Sequence, residues 1–165
     1  MNFKVFRMKA LAILIMTFFW MTGDAQQIPS LKVEELVRQY SNAKGVTVVN
    51  FWSSWCKSCQ EEMPHFLQVT DSLKSKGVSL LLVSMDSKGV FGSGQLKTFI
   101  AKKKWKAPLV WLNETDADHY CPVVDNSWSG VIPVTLILNS SKNYKKFYEN
   151  ELTKTELIQA IQAAF

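Results

Sequence analysis

The 165-residue chain has little of what several special protein classes require. Three cysteines are too few to staple a small domain, and an odd count leaves at least one outside any internal pair. Seven glycines, five prolines and 20% charged residues exclude collagen-like, low-complexity and disordered chains. No apolar run reaches the ~18–20 residues of a membrane span. No Gly-Lys-Ser/Thr occurs, and Gly92-Ser93-Gly94-Gln95-Leu96-Lys97 lacks the third glycine of a dinucleotide loop. A peroxiredoxin-type Pro-x-x-x-Thr-x-x-Cys signature is absent before Cys56. What is present is a 47% hydrophobic composition in a length suited to one domain.

The first 25 residues read as an address. Lys4, Arg7 and Lys9 precede an uncharged run from Ala10 to Met21, and Gly23 and Ala25 are small residues spaced for cleavage after Ala25. This is the layout of a signal peptide, so export, for example to a periplasm, is expected, and an uncleaved membrane anchor is the lesser alternative. Residues 26–165 then form the folded domain. Losing residues 1–25 removes three basic and one acidic residue and lowers the net charge from +5 to +3. That is no nucleic-acid footprint.

Helical and strand patterns alternate along the rest. Helices are expected over Ser30–Asn42, Cys56–Lys76, Gln95–Trp105 and Thr153–Phe165, the first and last capped by Ser30 and Thr153. Strands are expected over Val46–Trp52, Val78–Met85, Leu109–Leu112, Val131–Leu138 and Tyr144–Tyr148. Residues 113–130 read as a loop with room for a short helix, and the Gly-rich 89–94 stretch as a flexible connection. Pro64 should bend the second helix. Strands alternating with helices, then a hairpin and a last helix, argue an α/β fold with a central mixed β-sheet flanked by helices.

The chemistry centres on Trp55-Cys56-Lys57-Ser58-Cys59, where a buried strand turns into a helix. A cysteine in the first helical turn faces unpaired N–H groups and the positive end of the dipole, which favour thiolate. Cys59, three residues on, is close enough to resolve a mixed disulfide formed at Cys56. A four-residue ring staples little, because loop-closure stabilisation grows with length. A zinc knuckle needs a second ligand pair, and only His65, His119 and Cys121 are left. Lys57 adds positive charge near the sulfurs. Glu62, three residues after Cys59, is placed to move a thiol proton or to be an ordinary solvated residue. Pro133 interrupts a strand, so the Ile132–Pro133 bond is the candidate for cis, leaving the Ile132 backbone free for a peptide. His65 reads as surface, Cys121 as a lone loop thiol, and Lys102-Lys103-Lys104-Trp105-Lys106 as a solvated helix end.

The strand VTVVNFWSSWCKSCQEEMP and the later SGVIPVTLILN, before a hairpin and a final helix, resemble the thioredoxin superfamily. Within it they are most similar to exported TlpA-like and ResA-like thiol-disulfide oxidoreductases. The resemblance covers nearly all of residues 30–165. It implies a thioredoxin fold, Cys56 as nucleophile, Cys59 as resolving thiol and Pro133 as the cis-proline facing them. It also implies client contacts at Trp55, Ile132 and Pro133, and redox poise set by Lys57 and Ser58. Thioredoxins usually carry an Asp six residues before the first cysteine; Asn50 stands there, and Glu62 matches the acid that TlpA-like proteins can carry instead. The implied protein is a monomer with no cofactor beyond its Cys56–Cys59 disulfide and no bound metal. It reduces client proteins and draws electrons from a membrane-side donor. The alternative is a copper-delivery module on the same fold, with Cys56, Cys59 and His119 as ligands.

Overall fold

The computed structural model describes residues 27–165; the expected signal peptide lies outside them. One six-stranded mixed sheet organises the chain. Its strands are β1 (Ser30–Leu31), β2 (Val46–Trp52), β3 (Val78–Ser84), β4 (Leu109–Leu112), β5 (Val134–Asn139) and β6 (Tyr144–Tyr148). The spatial order is β1-β4-β3-β2-β5-β6. The first four run parallel, and β5 and β6 are antiparallel to their neighbours. The helices are α1 (Val33–Ser41), α2 (Lys57–Ser72), α3 (Lys88–Gly92), α4 (Gln95–Lys103), α5 (Ala117–Val124) and α6 (Lys154–Ala163). None of the described helices is long and apolar enough to cross a membrane.

Every residue of β2 is buried, as a strand covered on both faces requires. Val46, Val48 and Trp52 point to a core shared with α2, α4 and α6, where Met63, Phe66, Leu96, Leu157 and Ile161 pack. Val49 and Phe51 point to the opposite core, closed by Val33, Leu36 and Tyr40 of α1 and by Cys121, Val124 and Trp128. Burying each such large side chain contributes roughly 1.5–3 kcal/mol. Gly45, just before β2, takes φ +75°, and a Cβ there would run into the Gly77 carbonyl oxygen, so β2 and β3 start in close contact.

Several boundaries differ from the sequence reading. Ser30 does not cap the first helix: it lies in β1, paired parallel with Trp111 of β4, and α1 begins at Val33. The second helix ends at Ser72; residues 74–76 tighten into a 3-10 turn closed by left-handed Gly77. It runs unbroken through Pro64. The Gly-rich stretch is not a free connection, because Ser87 caps α3 and Phe91 stacks on Trp111 at 4.0 Å. Residues 113–130 contain α5. β5 starts at Val134, since Pro133 has no N–H to give a ladder. Thr153 caps α6 as expected, in a reciprocal pair with Glu156.

Candidate active site

The C-terminal end of β2 delivers Ser53-Ser54-Trp55-Cys56 to the start of α2. Cys56 is the N-cap of that helix, and Cys59 lies in its first turn. The two form a disulfide with Cα atoms 5.3 Å apart. The Cys59 N–H donates to Cys56 Sγ at 3.2 Å. A helix N-terminus thus points an otherwise unpaired donor at the sulfur that would carry charge after reduction. Ser58 Oγ is 3.5 Å from the same sulfur. Lys57 instead reaches solvent and pairs with Glu61 at 3.6 Å. Both cysteines are buried residues, Cys59 fully.

One turn further along α2, Glu62 is completely buried. Its Oε1 accepts from Asn50 Nδ2 at 2.8 Å, and its Oε2 from the Leu152 backbone N–H at 3.1 Å. Asn50 Nδ2 also donates to Thr135 Oγ1 on β5, while Asn50 Oδ1 has no partner. Burial pushes the Glu62 carboxyl up to about 7; the two hydrogen bonds oppose the shift, and Glu151 adds to it. The group therefore exchanges its proton in the neutral range, where a general acid-base works best. Asn50 itself carries no acid: it orients Glu62. Of the two readings of Glu62 at the sequence level, the solvated one is excluded.

The Ile132–Pro133 bond is cis. Among the described residues Trp55 (69% exposed) and Val131 (55% exposed) are the most exposed large apolar side chains, with Ile132 partly buried beside Val131. The segment before Pro133 is fixed from the residue that follows β6 and from within. Ser129 N–H and Oγ both donate to Glu149 Oε1 at 2.6 Å. Trp128 Nε1 donates to the Val131 carbonyl at 2.8 Å, and its ring packs on Phe51 at 4.9 Å.

Two residues escaped the sequence reading. Asp86, buried after β3, accepts Ser54 N–H at 3.1 Å, Ser54 Oγ at 2.6 Å and Ser84 Oγ at 2.8 Å. It anchors the loop that carries Cys56. The signal was a charged residue closing an apolar strand at the carboxyl edge of a parallel sheet, where sites collect. His65 is not a free surface residue: its Nε2 meets the Leu152 carbonyl at 2.7 Å, so the Leu152 peptide is held by both Glu62 and His65.

The copper arrangement is not assembled. His119 lies on α5, 3.0 Å from Glu34 of α1. Among the described residues its ring groups with Glu34 and Glu114, and not with Cys56 and Cys59. Cys121 is no loop thiol either: it sits on α5, free and buried, its pKa raised by burial and by Glu149 and Asp118.

Comparison with known proteins agrees with this geometry. The chain is 25% identical over 120 residues to the thiol-disulfide oxidoreductase ResA of Geobacillus thermodenitrificans. That stretch is 73% of this chain and 63% of the relative, so the chain spans less than two thirds of the relative's length. Among solved structures, a thioredoxin-related protein from Neisseria meningitidis serogroup B superimposes with a TM-score of 0.63 at 22% identity, covering 76% of this chain and 88% of that one. A secreted Mycobacterium tuberculosis disulfide oxidoreductase superimposes with a TM-score of 0.55 at 19% identity, covering 75% and 85%. These superpositions establish the thioredoxin fold expected from the sequence. The AhpC/TSA family profile matches residues 25–147. The chain therefore belongs to the AhpC/TSA family, within the thioredoxin superfamily.

Proposed function

We propose that this protein is an exported thiol-disulfide oxidoreductase that reduces disulfides in client proteins. One observation carries the reading: a Cys-x-x-Cys couple caps α2, with a fully buried carboxyl of neutral acidity one turn below. In the reduced protein the Cys56 thiolate attacks a client disulfide, and one client sulfur leaves as thiolate. Glu62 takes the Cys59 proton. The Cys59 thiolate then attacks Cys56 Sγ, the second client sulfur leaves, and the Cys56–Cys59 disulfide forms. Two electrons pass to the client, and its two thiols take up the protons given by Cys56 and Cys59. Trp55, Ile132 and Pro133 are the client-binding residues in this reading, supported by the exposure of Trp55 and of Val131 next to Ile132 and the cis-proline. Ser58, at the Cys56 sulfur, and Lys57 tune the couple.

The reducing direction follows the resemblance to the TlpA-like group, and turnover then needs electrons from a membrane-side donor. No cofactor beyond the disulfide is required, and a monomer suffices. Export rests on the signal-peptide layout of residues 1–25 and on the likeness to a secreted oxidoreductase. The deciding experiment is the reduction potential of the couple in thiol buffers. A value near roughly −270 mV, as in thioredoxin, supports a reductase; one near roughly −120 mV, as in DsbA, makes it an oxidant and overturns the direction. Cys56→Ser should abolish disulfide reduction, and Cys59→Ala should accumulate mixed disulfides with clients; their absence removes the protein-client reading.

A further inference from the structure

The sheet topology sorts charge along the molecule. The parallel strands begin at the end opposite Cys56, and the segments entering them bring exposed lysines there. Lys74 and Lys76 precede β3; Lys102, Lys103, Lys104 and Lys106 precede β4. From Ser87 to Asn113 the chain has six lysines and no Asp or Glu. Among the described residues none of Lys74, Lys76, Lys102, Lys103, Lys104 and Lys106 has a carboxylate within ion-pair distance. Among the carboxylate side chains, Asp71 shares a groove with Lys74 and Lys106, and Asp125 is held by Lys145 at 3.1 Å. Glu34, Glu61, Asp86, Glu114 and Asp116 all follow the opposite strand ends, on the Cys56 side.

We infer that this lysine pole seats on an anionic phospholipid surface, turning the Cys56 end toward solution. Two features favour lipid over an acidic protein. The chain enters the domain at this pole: Gln27 lines a groove with Trp105 and Lys106, and a second with Phe91 and Lys97. Until cleavage after Ala25, the apolar run Ala10–Met21 with its basic flank precedes this entry point in sequence. Aromatic side chains also stand among the lysines, Trp105 half-buried and Phe165 exposed beside Lys76. Lysines interleaved with aromatics suit the headgroup layer. The inference does not depend on the redox reading.

The test compares binding of the full oxidised chain to phosphatidylcholine vesicles with and without phosphatidylglycerol. Residues 1–26 carry Lys4, Arg7 and Lys9, so each triple is read as a change from the wild-type ratio, in which their contribution is common. The wild type should prefer the anionic vesicles about tenfold or more at low salt. Lys74→Glu/Lys102→Glu/Lys106→Glu should lose the preference. Lys88→Glu/Lys146→Glu/Lys154→Glu, with the same net charge and the same thermal midpoint as the first triple, should keep it. No anionic preference in the wild type, or equal loss in both triples, overturns the inference. On anionic vesicles a soluble dithiol should reduce Cys56–Cys59 at the rate seen in free protein, and a tenfold slowing would overturn the orientation.

Discussion

At the scale of single residues, Glu62 concentrates the consequences. Its carboxyl titrates near 7 in the fold against about 4.5 when unfolded, so the folded state holds a proton that the unfolded state has released. Stability therefore falls as pH rises from about 4.5 to about 7, then levels off. The span corresponds to roughly 3 kcal/mol. Urea denaturation of the oxidised protein at pH 4.5, 6 and 8 should show this slope, and Glu62→Gln should flatten it. The amide is accommodated because the unpartnered Asn50 Oδ1 can turn to accept from it. The same variant should slow release of the mixed disulfide about 100-fold at neutral pH in single-turnover experiments, with the first attack by Cys56 unchanged. Trp55→Ala should leave the thermal midpoint within the effect of ~0.5 kcal/mol, because the ring is exposed, and raise the KM for a protein disulfide.

The Cys56–Cys59 spacing was legible at this scale because helical geometry alone decides it. The state of Glu62 was not. Its burial depends on Asn50, twelve residues before it, and on Leu152, ninety residues after it. Lys57 shows the converse: its charge was legible, its direction was not, because Glu61 one turn on competes for it.

Elements place those residues, and their ends matter more than their interiors. Asp86 closes β3 and ties the Ser54 loop to it with charge-assisted bonds. Asp86→Ala should lower stability by about 2–4 kcal/mol, read by denaturant midpoint, because Ser54 N–H and the Ser84 hydroxyl lose a buried acceptor. Thr153→Ala should cost about 1 kcal/mol by removing the cap of α6. Strand interiors were readable from apolar runs, as in β2 and β3. The entry to α1 was not, because Ser30 serves equally as a helix cap or as a strand residue, and only the pairing of β1 with β4 decides. Phe91 likewise had no partner until Trp111 arrived from twenty residues on.

Across the whole molecule, one sheet lies between two apolar cores, and β2 contributes to both. Neither core can open without exposing β2, so the described residues should unfold as one unit. Tryptophan fluorescence and far-UV circular dichroism should give coincident denaturation curves with the disulfide intact. The α/β class and the mixed sheet followed from the order of the patterns. The separation of lysines from carboxylates did not, because charges scattered along the sequence meet at one pole only when parallel strands line up their starts.

The placement of the acid on α2 instead of β2 has a mechanical consequence. An acid at position 50 would owe its distance from Cys59 to the way helix and sheet pack. Glu62 owes it to the rise of one helix, about 4.5 Å over three residues. The two groups travel as a rigid pair, so a change that shifts α2 against the sheet leaves their spacing intact. Such a shift changes how deeply Glu62 is shielded, and hence its acidity. Reach is set by covalent geometry and acidity by packing, so sequence drift can tune one without spoiling the other.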